Sequence, residues 1–236
     1  MKIATDFVCL AATLWAAAAS AQLPPLPPMT NGDANLANNG MKHALVAYAG
    51  DALSVHLDAP PASPVTMTSG VGKSYDALFD VLEGKHFNSQ HGWLPDGVLV
   101  PPAGAEVWIK RTGATTPAGA ELHVYEGGMG NAMASWTMNE IYAADGAIWL
   151  WDRFMQHDLY VADLPGAYSV SFEVYLGDAT TGDPLAGITP ATTTFSFVVP
   201  APEPAAAGLL LCGLLPVAAW RRGPDCLERR TTCRKS

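Results

Sequence analysis

Cysteine is missing from the central part of this chain. Of the four cysteines in 236 residues, Cys9 lies in the first apolar run, and Cys212, Cys226 and Cys233 lie in or beyond the last. Residues 22–204 therefore offer no thiol nucleophile and no thiolate metal ligand, and their stability must come from a conventional core, which this length permits. Basic residues are scarce in the same stretch. It holds 6 Lys and Arg against 19 Asp and Glu, whereas residues 205–236 hold 6 against 2. An acidic surface repels phosphate backbones, which argues against nucleic acid as a partner. Recognisable catalytic frames are missing as well. There is no G-x-S-x-G elbow and no H-E-x-x-H helix, and Asp152 and Asp158 flank His157 without a placed nucleophile. The Gly-Lys-Ser string within Ser69–Ser74 lacks the first glycine of a phosphate loop, since Met67 stands there, and it reads as a turn. A non-enzymatic protein is expected.

What is present is clearest at the two ends. Residues 1–21 open with Lys2, run through FVCLAATLWAAAA and close on Ala19-Ser20-Ala21, the pattern of a secretory signal peptide cut by signal peptidase before Gln22. Near the other end, Pro202-Glu203-Pro204 precedes an apolar run over 205–220 and then Arg221-Arg222. The run has 16 residues, short of the roughly 20 of an ordinary spanning helix, and contains Pro216. It reads as a short transmembrane helix whose basic flank stays inside. An ordinary single-span anchor is the alternative.

That order of triplet, apolar helix and basic stop resembles the PEP-CTERM sorting tail. The resemblance covers residues 200–236 and implies that Pro202, Glu203 and Pro204 are read by an exosortase-type membrane peptidase while Arg221 and Arg222 hold the tail on the cytoplasmic side. It further implies inner-membrane anchoring before processing, then residence in the cell envelope or outside it, in company with exopolysaccharide. The chain departs from the family in continuing for GPDCLERRTTCRKS after the basic pair.

Between the ends, residues 22–40 are rich in Pro, Asn and Gly and read as an extended linker. From 41 to 199, short alternating apolar runs separated by Gly, Pro and Asp predict an all-β domain, an antiparallel β-sandwich. Strands are expected at 43–49, 52–58, 64–68, 106–111, 120–126 and 147–161, the last broken, followed by AYSVSFEVYL and TTTFSFVV. The final hairpin resembles the last two strands of immunoglobulin-like surface modules. SYDALFDVLEG is expected to be a short helix.

Gly50-Asp51 predicts a two-residue hairpin turn, and its register sets His43 opposite Asp58 and Leu45 opposite His56, on the face away from the core. His43, His56 and Asp58 are therefore a candidate half-site for zinc or copper, with His157 as the favoured further ligand and His86, His91 and His123 as other suppliers. Solvated histidines paired with aspartates explain the same pattern. Trp149 and Trp151, spaced to share one strand face, suit either a sugar-stacking platform or the core.

Overall fold

In the computed structural model, residues 30–58, 64–128 and 136–202 are described. The expected signal peptide, the apolar helix over 205–220, and Glu203, Pro204, Arg221 and Arg222 lie outside them. Among the described residues no helix is long and apolar enough to cross a membrane.

The chain is all-β, built as two mixed sheets. Its first hairpin joins β1 (Lys42–Ala49) to β2 (Ala52–Leu57) through Gly50, whose φ of 62° suits the first central position of a primed turn. The pairing is the expected one: Ala44 with Leu57, Leu45 with His56, Val46 with Val55, Tyr48 with Leu53. The expected strand at 64–68 instead divides at buried Met67. Its first part, β3 (Val65–Thr66), joins one sheet, and β4 (Thr68–Ser69) joins the other. The Gly-Lys-Ser string is a turn, closed by Lys73 N–H donating to the Gly70 carbonyl at 3.1 Å. Ala77–Leu82 forms a 3-10 helix capped by the Asp76 side chain.

Two short strands follow that alternation does not signal, β5 (His86–Asn88) and β6 (His91–Pro95). The second sheet is built from β7 (Ala105–Thr115), β10 (Ile148–Trp151), β12 (Gly166–Asp178) and β13 (Ala191–Val199), with β3 at its edge; β8 (Leu122–Gly128), β9 (Glu140–Ile141) and β11 (Gln156–Ala162) belong to the first. The break expected within 147–161 is thus a change of sheet.

The sheets are not wholly antiparallel as the sequence led one to expect. β1 and β6 pair parallel, and so do β13 and β3. A parallel neighbour needs a long crossover rather than a hairpin. The chain supplies one by leaving β2, visiting the second sheet through β3 and returning through β4 and β5.

One core lies between the sheets. Val170, Phe172 and Val174 of β12 and Phe195 and Phe197 of β13 are fully buried, and so are Trp93 and Tyr160 from the first sheet. Rings meet across the gap: Trp93 with Phe172 at 5.5 Å and Tyr160 with Phe197 at 4.8 Å. Burying an aromatic side chain of this size contributes on the order of 2–3 kcal/mol. On its other side the first sheet is covered by Tyr75, Phe79, Leu82 and Trp136, which pack on Phe87, Leu159 and Val161. As a result β11 is buried on both faces.

The stretch 30–40, read as linker, is tied to this body. Gln90 Nε2 donates to the carbonyls of Asn38 and Gly40 at 3.0 and 2.8 Å, and Asn88 Nδ2 donates to the Thr30 carbonyl at 3.2 Å. Asn31, Asp33 and Asn35 accept from nearby backbone N–H groups or side chains, the habit of short polar side chains in turns.

Candidate metal centre

The chain steps from β5 to β6 through Ser89 and Gln90, both with no exposed surface. Along its edge β11 meets β6 at Gln156 and His157 and β5 at Tyr160 to Ala162. The step between those two partners leaves the Ser89 carbonyl to a side chain: His157 Nδ1 lies 3.0 Å from it. A carbonyl only accepts, so the proton sits on Nδ1 and the Nε2 lone pair is bare. Burial holds the His157 ring neutral, lowering its pKa to about 4.

Register carries this residue toward β1. Gly92 pairs with His157 on one side and with His43 on the other. A Cβ at Gly92 would lie 2.7 Å from the His157 ring and from the Gln156 carbonyl, so only glycine leaves the space between the two histidines open. Their ring centroids stand 5.2 Å apart with planes at 69°. His43 is held from its other side, with Nδ1 at 2.6 Å from Asp58 Oδ2 and its backbone N–H donating to Asp58 Oδ1 at 2.7 Å. Burial pushes Asp58 upward, but the hydrogen bonds from the His43 ring and backbone and the charges of His43 and Lys42 bring its pKa below the usual carboxylate value.

The outcome is a row across four strands in which each imidazole has its Nδ1 engaged by an acceptor. The Nε2 atoms of both His43 and His157 are buried and without a hydrogen-bond partner. An orphaned buried acceptor is costly, about 1–3 kcal/mol. Histidines that ligate metals are oriented in this same way, the second nitrogen donating to a carboxylate or backbone carbonyl.

Of the expected set, His43, Asp58 and His157 come together, with Asp58 behind His43 rather than facing an ion. His56 does not join them: it is exposed, opposite Leu45, and no hydrogen bond or ring contact links it to His43 or His157. Among the described residues no group of three or more His, Cys, Asp or Glu could together hold an ion. The expected four-residue shell is therefore corrected to a pair. His56 shares a face with Asp58 but stands opposite Leu45, one pair further along the strands, so only Asp58 is directly across from His43.

The other histidines have separate places. His91 points into the core and stacks on Phe195 at 4.3 Å, and burial lowers its pKa to about 3. His123 lies between Glu140 at 2.7 Å and Glu121 at 3.2 Å, and the hydrogen bond to Glu140 chiefly raises its pKa. The sugar-stacking platform is not formed. Trp151 is fully buried with its N–H donated to the Phe154 carbonyl at 2.8 Å, and Trp149 packs inward near Tyr142. Alternation puts Ile148 and Leu150 outward instead.

Sequence reasoning missed one partner of this row and the burial of one acid outside it. Ser89 acts through its carbonyl, which carries no side-chain signature. Asp158 is fully buried, and desolvation raises its pKa to about 7 against the hydrogen bond that Gln156 Nε2 donates to it at 3.3 Å. The buried hydroxyls of Tyr142 and Tyr160 are close enough to feel its charge. Comparison with protein-family models, with curated proteins and with solved structures gives no match to this chain.

Proposed function

We propose that this protein is a non-catalytic, exported cell-envelope protein whose domain captures a transition-metal ion, zinc or copper, between Nε2 of His43 and Nε2 of His157. One observation carries the metal reading: two buried, partnerless imidazole nitrogens share the face of one sheet, each ring fixed by an acceptor on its other nitrogen. Neutral nitrogen donors suit zinc, copper and their neighbours and are poor ligands for magnesium or calcium. Export by a signal peptide and sorting through Pro202, Glu203 and Pro204 is supported by the two end patterns of the sequence. An immunoglobulin-like sandwich is supported by two sheets over a shared core, and it suits a surface module. The partners that follow are signal peptidase, an exosortase-type peptidase acting at the membrane, and the exopolysaccharide-bearing envelope.

Expression of the full chain with one epitope in the domain and another after Arg222 tests the sorting half. Separation of the two epitopes is expected, and both on one mature full-length species would count against it. For the metal half, the mature protein should hold one zinc or copper per chain by elemental analysis, and His157→Ala should abolish it. A protein that stays metal-free after exposure to both ions would end this reading.

A further inference from the structure

Beside β4 an apolar groove lies between residues that precede β1 and residues that follow β13. It encloses about 380 Å³, within the roughly 300–1,000 Å³ of small-ligand pockets. Met67, Val71 and Pro165 line it together with Pro200 and Pro202, and Val71 stands exposed. Two polar groups interrupt this lining. His86 Nδ1 is buried and without a hydrogen-bond partner, and Ser69 Oγ accepts from the Val71 N–H at 3.2 Å, which leaves its own O–H to donate. Gly32 also lines the groove, so close to Met67 that a Cβ there would lie 2.2 Å from the Met67 carbonyl oxygen. Two residues earlier, the Thr30 carbonyl accepts from Asn88 Nδ2 at 3.2 Å and from Thr68 Oγ1 at 3.5 Å. Thr68 stands between Met67 and Ser69 of the groove, so the chain arrives beside it.

The sequence just before Thr30 has a matching pattern. In residues 22–29, QLPPLPPM, the apolar side chains Leu23, Leu26 and Met29 recur at every third position with prolines between them. Proline and the residue before it favour polyproline II, a helix of three residues per turn that rises about 3.1 Å per residue. The three side chains would therefore share one edge, about 19 Å long, and the carbonyls would be free to accept because this helix has no internal hydrogen bonds. Independently of the metal and sorting readings, we propose that residues 22–29 dock in this groove as a polyproline II strand, apolar edge on Met67, Val71 and the prolines, backbone against Ser69 and His86. Attachment singles out this occupant. With Thr30 pinned beside the groove, a tether this short holds the segment there at an effective concentration in the millimolar range, and a preformed polyproline helix loses little entropy on docking. The docked strand would run beside Pro202, the residue that opens the sorting triplet.

The test compares, in one detergent, three chains that all keep the C-terminus: one starting at Gln22, one starting at Thr30, and the first carrying Leu26→Asp, which leaves every groove residue in place. Methyl nuclear magnetic resonance should show contacts from Leu26 to Val71 and Met67 in the first chain. The Val71 methyl and His86 ring signals should move to common new positions in the other two. A synthetic peptide QLPPLPPM added to the chain starting at Thr30 should restore the original signals with a Kd in the millimolar range, and its Leu26→Asp form should bind about tenfold more weakly or worse. Identical Val71 and His86 signals with and without residues 22–29 would overturn the docking. Contacts found only between differently labelled chains in a mixed sample would overturn the intramolecular assignment and give the groove to a neighbouring copy's segment.

Discussion

His43 and His157 meet across Gly92, a residue that belongs to neither of their strands. The two are far apart in sequence and not on neighbouring strands, and their approach depends on a parallel pair, β1 with β6, and an antiparallel one, β6 with β11. Shifting either register by one residue would turn one of the rings to the opposite face.

Replacing Gly92 by Ala should cost stability and metal together. The new methyl would press on the Gln156 carbonyl and the His157 ring, each 2.7 Å from the ideal Cβ position. Overpacking of this kind costs on the order of 1–3 kcal/mol. Urea titration of the metal-free variant measures the first effect and zinc titration the second. Wild-type affinity in Gly92→Ala would show that the row tolerates a side chain.

Acid should destabilise the domain through its buried neutral histidines. His91 and His157 have pKa values lowered to about 3 and about 4, so the unfolded chain takes up protons below about pH 6.5 that the folded chain refuses. Stability from these groups is complete above pH 6.5 and falls as pH drops toward 4. Replacing His91 by Phe, which can keep the stack on Phe195, should flatten part of that fall in urea midpoints measured between pH 7 and pH 4.

Asp158 should act in the opposite direction. Its folded pKa is raised to about 7, so the folded state holds a proton that the unfolded state releases above about pH 4. This contribution is fully present at pH 4 and is lost as pH rises to 7. Asp158→Asn, which stays neutral, should therefore gain stability relative to wild type as pH rises from 5 to 8. A constant difference across that range would mean that Asp158 is ionised throughout.

Trp151 and Trp149 should separate in their effects. Trp151 is fully buried and donates its N–H to Phe154, so Trp151→Ala should cost about 3–5 kcal/mol. Trp149 is only partly buried, and its truncation should cost less; neither change should alter retention on the producer's polysaccharide beyond the effect of unfolding. Chemical denaturation and affinity electrophoresis provide the two measurements.

Local patterning made much of this legible. Alternation in residues 168–176 and 195–199 placed β12 and β13, and Gly50-Asp51 established the first hairpin with His43 beside Asp58, because a strand's period and a two-residue turn are short-range properties. His157 was singled out among the histidines, yet nothing in its neighbourhood says which strand it faces. β5 and β6 escaped notice because their buried run Asn88-Ser89-Gln90-His91 is polar and does not alternate. The Asn88 and Gln90 side chains are taken up by residues 30–40 and the Ser89 carbonyl by His157, contacts invisible to a window of neighbouring residues.

The sequence by itself determined the class of fold, the hairpin register and the pairing of His43 with Asp58, since each depends on residues a few positions apart. Only the tertiary structure decided that β1 runs parallel to β6, that Gly92 separates two histidines by 5.2 Å, that His56 stays outside, and that Asp158 lies in the core. Those outcomes depend on which strands become neighbours, and that is decided by burying one core between two sheets.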